Sequence, residues 1–191
     1  TNNVWSYDAF IGLVPTAVPT EIFNEVMAMQ VASHALSIDA SERDALTIYI
    51  AANLRRENEL PDGESDPVFG NADRSPAFYA TVFGTSICQN VLALAIDSTD
   101  TPLVRDAIDA LSQTTGGADL FAGEGDRRPL LEALTYPDRR VQYEAALTLG
   151  AALPTTEFSG SHRIVPVLGS AVRSGDESFA VVVCDDAENL K

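Results

Sequence analysis

The run DGESDPVFGNAD, residues 62–73, sets Asp62, Glu64, Asp66 and Asp73 at the first, third, fifth and twelfth positions of the segment. Carboxylate oxygens at that spacing imitate a calcium loop. Two positions break the pattern. Pro67 stands sixth, where such a loop needs a glycine to turn sharply, and Asp73 is shorter than the usual closing glutamate. A solvated acidic loop is therefore expected, with no metal. His34 and His162 are the two histidines, and neither has a ligand spacing such as HExxH. His34 is expected on a helix, packed or half exposed. Cys88 and Cys184 have no CxxC-type neighbours, so their spacing supports no disulfide. The chain holds no GxSxG, and GEGDRR (123–128) lacks the Lys-Ser/Thr of a phosphate loop. No catalytic residue and no cofactor is expected.

Charge is the strongest global property. Twelve Lys+Arg stand against 28 Asp+Glu, a net charge of −16, and Lys191 is the one lysine. The summed field repels nucleic acid and anionic membrane surfaces, so binding to neither is expected. Solubility explains the excess of acid; a cationic partner is the other reading. Against this background Arg55–Arg56 and Arg139–Arg140, with Arg127–Arg128 near the latter, stand out. One reading is salt bridging within the chain, and Arg55 and Arg56 suit a helix C-terminal turn, where the dipole favours cations. The other is a docking patch, in which Arg55, Arg56, Arg139 and Arg140, with Tyr143, hold an acidic segment of a protein or peptide partner.

The elements that must position these residues read as helices. TEIFNEVMAMQVASHAL (20–36) places apolar residues at three- and four-residue steps, with Thr20 available as N-cap. SERDALTIYIAANLRRE (41–57) opens on Ser41 with Asp44 three residues on, and Asp39–Ala40 forms the corner of a helical hairpin. Residues 60–76, rich in Pro, Gly and acids, read as a loop. Ser75–Pro76 starts a helix expected to reach about residue 96, Thr101–Pro102 starts the next, and Gly116–Gly117 stops it. After a loop at 117–126 come a helix of about two turns in RPLLEALTY, a corner at Pro137–Asp138, and a helix over RRVQYEAALTLGAAL halted by Pro154. In SFAVVVCDD the helical spacing gives way to a short β-branched apolar run, residues 179–184, which reads as a strand.

One spacing is written twice. At an offset of 38, Leu92, Ala95, Ile96, Asp100, Leu103, Ala107 and Leu111 fall on Leu130, Ala133, Leu134, Asp138, Val141, Ala145 and Leu149. A third step reaches Leu168, Ala171 and Val172. A short amphipathic helix, a turn with an aspartate, then a longer helix buries its apolar face only against copies of itself. The pattern Asp100…Leu103-Val104-Arg105…Ala107 and Asp138…Val141-Gln142…Ala145 resembles HEAT-like repeats over about residues 76–174, and more loosely over 20–57. It departs from the family at Gln142, where an arginine is usual. The resemblance implies an all-α fold, a short right-handed α-α superhelix of helical hairpins over residues 1–175, in which the second helices line the concave face. A short C-terminal strand lies in a tail over 176–191.

FAVVVCDDAEN in that tail looks like the first strand and acidic turn of a receiver-type α/β domain, which implies Asp185 and Asp186 as metal-binding acids. An edge strand or ordered tail is the equal alternative. The expected function is a non-catalytic protein-interaction or scaffold module, the N-terminal part of a larger bacterial regulatory protein. The alternative is a helical-repeat enzyme subunit or a lyase- or hydrolase-associated module. The N-terminus has neither an initiator Met nor a basic n-region before an apolar run, so an internal or processed piece is expected. A cytoplasmic location is favoured, with export open if a leader was removed.

Overall fold

The computed structural model describes residues 1–70, 74–114, 127–152, 158 and 160–174. The chain starts with a feature the helical reading did not anticipate, a β-hairpin of β1 (Asn2–Asp8) and β2 (Gly12–Val18). The strands pair antiparallel, with Val4 opposite Thr16, Trp5 opposite Pro15 and Tyr7 opposite Leu13. Asp8 Oδ1 accepts the N–H groups of Phe10 and Ile11, which closes the connection. Both strands of a two-stranded ribbon are edges, so Pro15 costs no interior ladder bond. The described sheet thus sits at the opposite end of the chain from the expected strand. Residues 179–184, Asp185 and Asp186 lie outside the described residues, as does all of 176–191.

From the hairpin the chain enters α1 (Phe23–Ile38) and α2 (Arg43–Glu59), the expected helical hairpin. Their caps differ from the expectation. Ile22 is the N-cap of α1 and offers no side-chain acceptor, while Thr20 contributes only its carbonyl, to the Phe23 N–H. Glu42 caps α2 by accepting the Asp44 N–H, and Ser41 is bonded instead to Asp39 Oδ1.

The helix expected to run unbroken from Pro76 is two helices, α3 (Pro76–Val82) and α4 (Thr85–Asp97). Gly84 separates them at φ +85, a conformation that side chains strain to reach, and serves as the N-cap of α4. The chain continues through α5 (Thr101–Thr114), α6 (Pro129–Glu132), a 3-10 turn over Ala133–Thr135, α7 (Arg139–Ala151) and α8 (Ser161–Ser174).

The repeated aspartate has a physical explanation. Asp100 Oδ1 accepts the Leu103 N–H, and Asp138 Oδ1 accepts those of Arg140 and Val141, so each satisfies donors that a helix N-terminus leaves open. The corners before them differ. After α4 the Asp100 N–H reaches the Ala95 carbonyl and the Thr99 N–H reaches that of Ile96, a Schellman closure with Thr99 at φ +56. The equivalent of Thr99 is Pro137, whose ring forbids positive φ. The second corner therefore turns through the 3-10 segment and an extended Tyr136.

Along the stack α2 packs on α4 and α5, α4 on α6, α5 on α7, and α7 on α8. Of the residues that the offset of 38 marks as one core, Leu92, Leu103, Ala107, Leu111, Leu130, Leu134, Val141, Ala145 and Leu149 are buried in a single cluster. Ile96 and Leu168 pack against it, partly buried. At the third step Ala171 is half-buried, and Val172 is 84% exposed. A second, smaller core of Val4, Val18, Ile22 and Val26 joins the β-hairpin to α1 and is covered by Leu60, Val68 and Phe69.

Candidate functional site

Positive charge is scarce in this chain, and Arg55, Arg56, Arg105 and Arg127 spend theirs in ion pairs. Arg55 Nε bonds Asp100 Oδ2 at 2.6 Å, and its Nη2 reaches Ser98 Oγ at 2.9 Å. Arg56 is buried: Nη1 bonds Asp66 Oδ2 at 2.8 Å, while Nε and Nη2 share Asn53 Oδ1. Arg127 is held by both oxygens of Asp97 and by Glu132. At Arg55 and Arg56 these contacts favour salt bridging within the chain over the docking patch. Arg139 and Arg140 are exposed in the first turn of α7 and make no ion pair among the described residues. Tyr143 is half-buried beside Ser170, whose hydroxyl faces the phenol oxygen. Arg55 and Arg56 lie near the end of α2, and Arg139 and Arg140 begin α7.

The described part of the acidic loop turns one of its carboxylates away from the others. Asp66 turns inward to Arg56, and its second oxygen accepts the Val68 N–H. Asp62 and Glu64 stay exposed, and Asp73 lies outside the described residues. Gly70 donates its N–H to the Asp66 carbonyl so closely that a Cβ there would collide with that oxygen. Among the described residues no group of three or more His, Cys, Asp or Glu is placed to hold a metal. His34 and His162 are exposed. Cys88 is buried, its thiol is pushed up to about 11 by desolvation, and its Sγ bonds the Ala80 carbonyl. A neutral thiol is a poor nucleophile at physiological pH.

What the fold does assemble is a groove of about 460 Å³ between α5 and α7. Asp106, Asp109 and Ser112 form one wall; Glu144, Leu147 and Ala151 form the other; Ile108 and Thr148 lie between them. Each wall is a helical stripe at steps of three or four residues. Arg105 enters at one end and is neutralised by a two-nitrogen contact to Glu144, at 2.7 Å from Nη2 and 3.0 Å from Nε. The remaining charge is that of Asp106 and Asp109. Partial burial pushes the Asp106 carboxyl up; a hydrogen bond from Asn58 Nδ2 at 2.6 Å and the charge of Arg105 oppose this, while Asp109 and Asp100 reinforce it. Leu147 is 63% exposed beside them. These residues were not singled out from the sequence, although the same offset of 38 carries Asp106 onto Glu144 and Asp109 onto Leu147.

The carboxyl environments predict an order of titration. Asp97, held by Arg127, is expected to protonate below the ordinary 3.8, and Asp106 above it. Asp97 therefore contributes stability above pH 3.8 that is lost as pH falls through its lower folded value. Asp106 has the opposite sign: its ionisation opposes folding above its raised folded value, and that cost is relieved as pH falls through it. Carboxyl-carbon NMR titration checks the order, and coincident midpoints for the two would contradict it.

Comparisons of the chain with protein-family models, with curated proteins and with solved structures find no match. No helix among the described residues is long and apolar enough to cross a membrane.

Proposed function

We propose that the chain is a non-catalytic scaffold module, a short right-handed superhelix of HEAT-like hairpins whose second helices present the α5–α7 groove to a protein partner. The partner segment is basic and carries apolar side chains. The observation that carries this reading is the groove itself, where Asp106 and Asp109 hold only amide donors, from Asn58 and Gln113, and make no ion pair among the described residues, beside the exposed Leu147 while the one arginine is held by Glu144. A cation brought to Asp106 relieves the mutual repulsion of the acids around it. Each such contact contributes ~1.5–3 kcal/mol if desolvated and ~0–1 kcal/mol if it stays in water. The net charge of −16 steers a cationic segment toward the chain and makes association weaken with salt.

A labelled amphipathic Leu/Lys peptide and its Leu/Glu counterpart are the probes. The Leu/Lys peptide is expected to bind with an affinity that falls as salt rises. The Asp106→Asn/Asp109→Asn variant is expected to bind it about tenfold more weakly, ~1.4 kcal/mol. Equal binding to variant and wild type, tighter binding of the Leu/Glu peptide, or no binding of either would overturn the proposal. A second reading, an acidic partner segment, is favoured only by Arg139 and Arg140, two exposed cations at the positive end of the α7 dipole. Tighter binding of the Leu/Glu peptide, abolished by Arg139→Ser/Arg140→Ser, would support it instead.

A further inference from the structure

Two apolar surface features are used neither by the core nor by the acidic groove. The first is a knob. The β-hairpin turns Val4 and Val18 toward α1, which leaves its other face to Trp5, Tyr7 and Leu13, 55%, 78% and 67% exposed. The connection between the strands adds Phe10 at 99% and Ile11 at 78%. The second is a hollow of about 460 Å³ between α1 and α2, lined only by apolar side chains. Met27, Val31 and Ile48 form its rim, and Ala28, Ala35 and Ala45 leave room between them. Val31 is 67% exposed and Ile48 46%. Apolar patches of this kind on a soluble chain mark interaction sites.

We infer that a second copy of this chain covers them: the hairpin tip of one copy, Phe10 and Ile11, seats in the α1–α2 hollow of another. Charge permits this occupant. Two chains of −16 each meet at least cost where neither brings an acid. The hollow has no charged lining residue, and the one acid beside the tip, Asp8, is turned onto the N–H groups of Phe10 and Ile11. The basic segment proposed for the α5–α7 groove finds no counter-charge here.

Area supports a pair. An aromatic side chain buries about 150–250 Å² when fully covered. Half-coverage of Trp5, Tyr7 and Phe10, with Ile11 and Leu13, removes roughly 400–500 Å² from one hairpin. The surface covered on the partner about doubles that. A reciprocal contact, knob to hollow twice around a two-fold axis, then exceeds the ~1,200 Å² at which specific interfaces begin.

Sedimentation velocity on the intact chain tests this. Wild type is expected to associate as concentration rises. Phe10→Asp and Val31→Asp are each expected to remain monomeric with unchanged circular dichroism, since both positions face solvent in the single chain. The decisive sample is the mixture of the two variants. Val31→Asp supplies an intact knob and Phe10→Asp an intact hollow, so one of the two contacts is restored and part of the association returns. A monomeric wild type, variants that associate as wild type does, or a mixture that stays monomeric would each overturn the inference. So would binding to phosphatidylcholine vesicles that Phe10→Asp abolishes and Val31→Asp leaves intact, which would assign the hairpin to a lipid surface. Asp106→Asn/Asp109→Asn should leave the association unchanged, which separates this result from that of the groove.

Discussion

Asp66→Ala is expected to destabilise the protein by about 3–5 kcal/mol, because it leaves the Arg56 guanidinium buried with no carboxylate opposite it. The side chains of the pair are 9% and 0% exposed. Arg56→Ala should cost a similar amount by stranding Asp66. The double replacement Arg56→Met/Asp66→Leu should recover much of the loss, since a buried pair exchanged for apolar side chains of similar bulk is often near neutral. Recovery should be incomplete, because Asn53 Oδ1 loses both of its guanidinium donors and the Val68 N–H loses its acceptor. Each buried polar group left unsatisfied costs ~1–3 kcal/mol. The effect should also spread. The loop that Asp66 anchors carries Val68 and Phe69, which cover the small core beneath the hairpin, and Phe69 meets the Tyr49 ring edge-on at 6.3 Å. Urea unfolding of the four proteins gives the energies. Hydrogen exchange on Asp66→Ala should show faster exchange across 61–70 and at Val4 and Val18. A loss below ~1 kcal/mol, the range of an exposed pair, would mean that the ion pair is solvated.

Leu134→Ala should cost about 2–5 kcal/mol, whereas Val172→Ala, at the equivalent position one step of 38 later, should change stability by less than about 0.5 kcal/mol. Leu134 is 3% exposed in the main core, and Val172 is 84% exposed on α8. The two residues have the same place in the sequence pattern and opposite places in the structure, so the pair measures where the stack stops burying its faces. Thermal or urea unfolding decides it. Comparable losses for both would show that something covers the end of α8 in solution.

That contrast marks the boundary between what was legible in the residue order and what was not. Helix positions were legible because apolar residues recur at three- and four-residue steps and because Ser75–Pro76, Asp100 and Asp138 carry the local chemistry of helix starts. The shared core of Leu92 through Leu149 was legible for the same reason, since both copies of the spacing put their apolar residues on one helical face. The hairpin at 2–18 leaves a fainter trace, the alternation of Val4 and Ser6 with Trp5 and Tyr7. Seven residues of period two are a weak signal beside a helical period that fills most of the chain.

Pairings between distant residues were not legible. The excess of acid ensures that each arginine has many candidate partners, and only the packing of α2 against the loop after it brings Asp66, rather than Asp62 or Glu64, onto Arg56. The groove depends on two helices, α5 and α7, that are not consecutive in the chain, since α6 and the 3-10 turn stand between them. Asp106 and Glu144 became facing walls only when Ala107, Leu111, Ala145 and Leu149 were buried between α5 and α7. Local periods and caps act over a few residues, and one chain of letters carries them. Whether a charge is neutralised or left to meet a partner is a sum over neighbours in space, and those neighbours exist only once the apolar faces have closed.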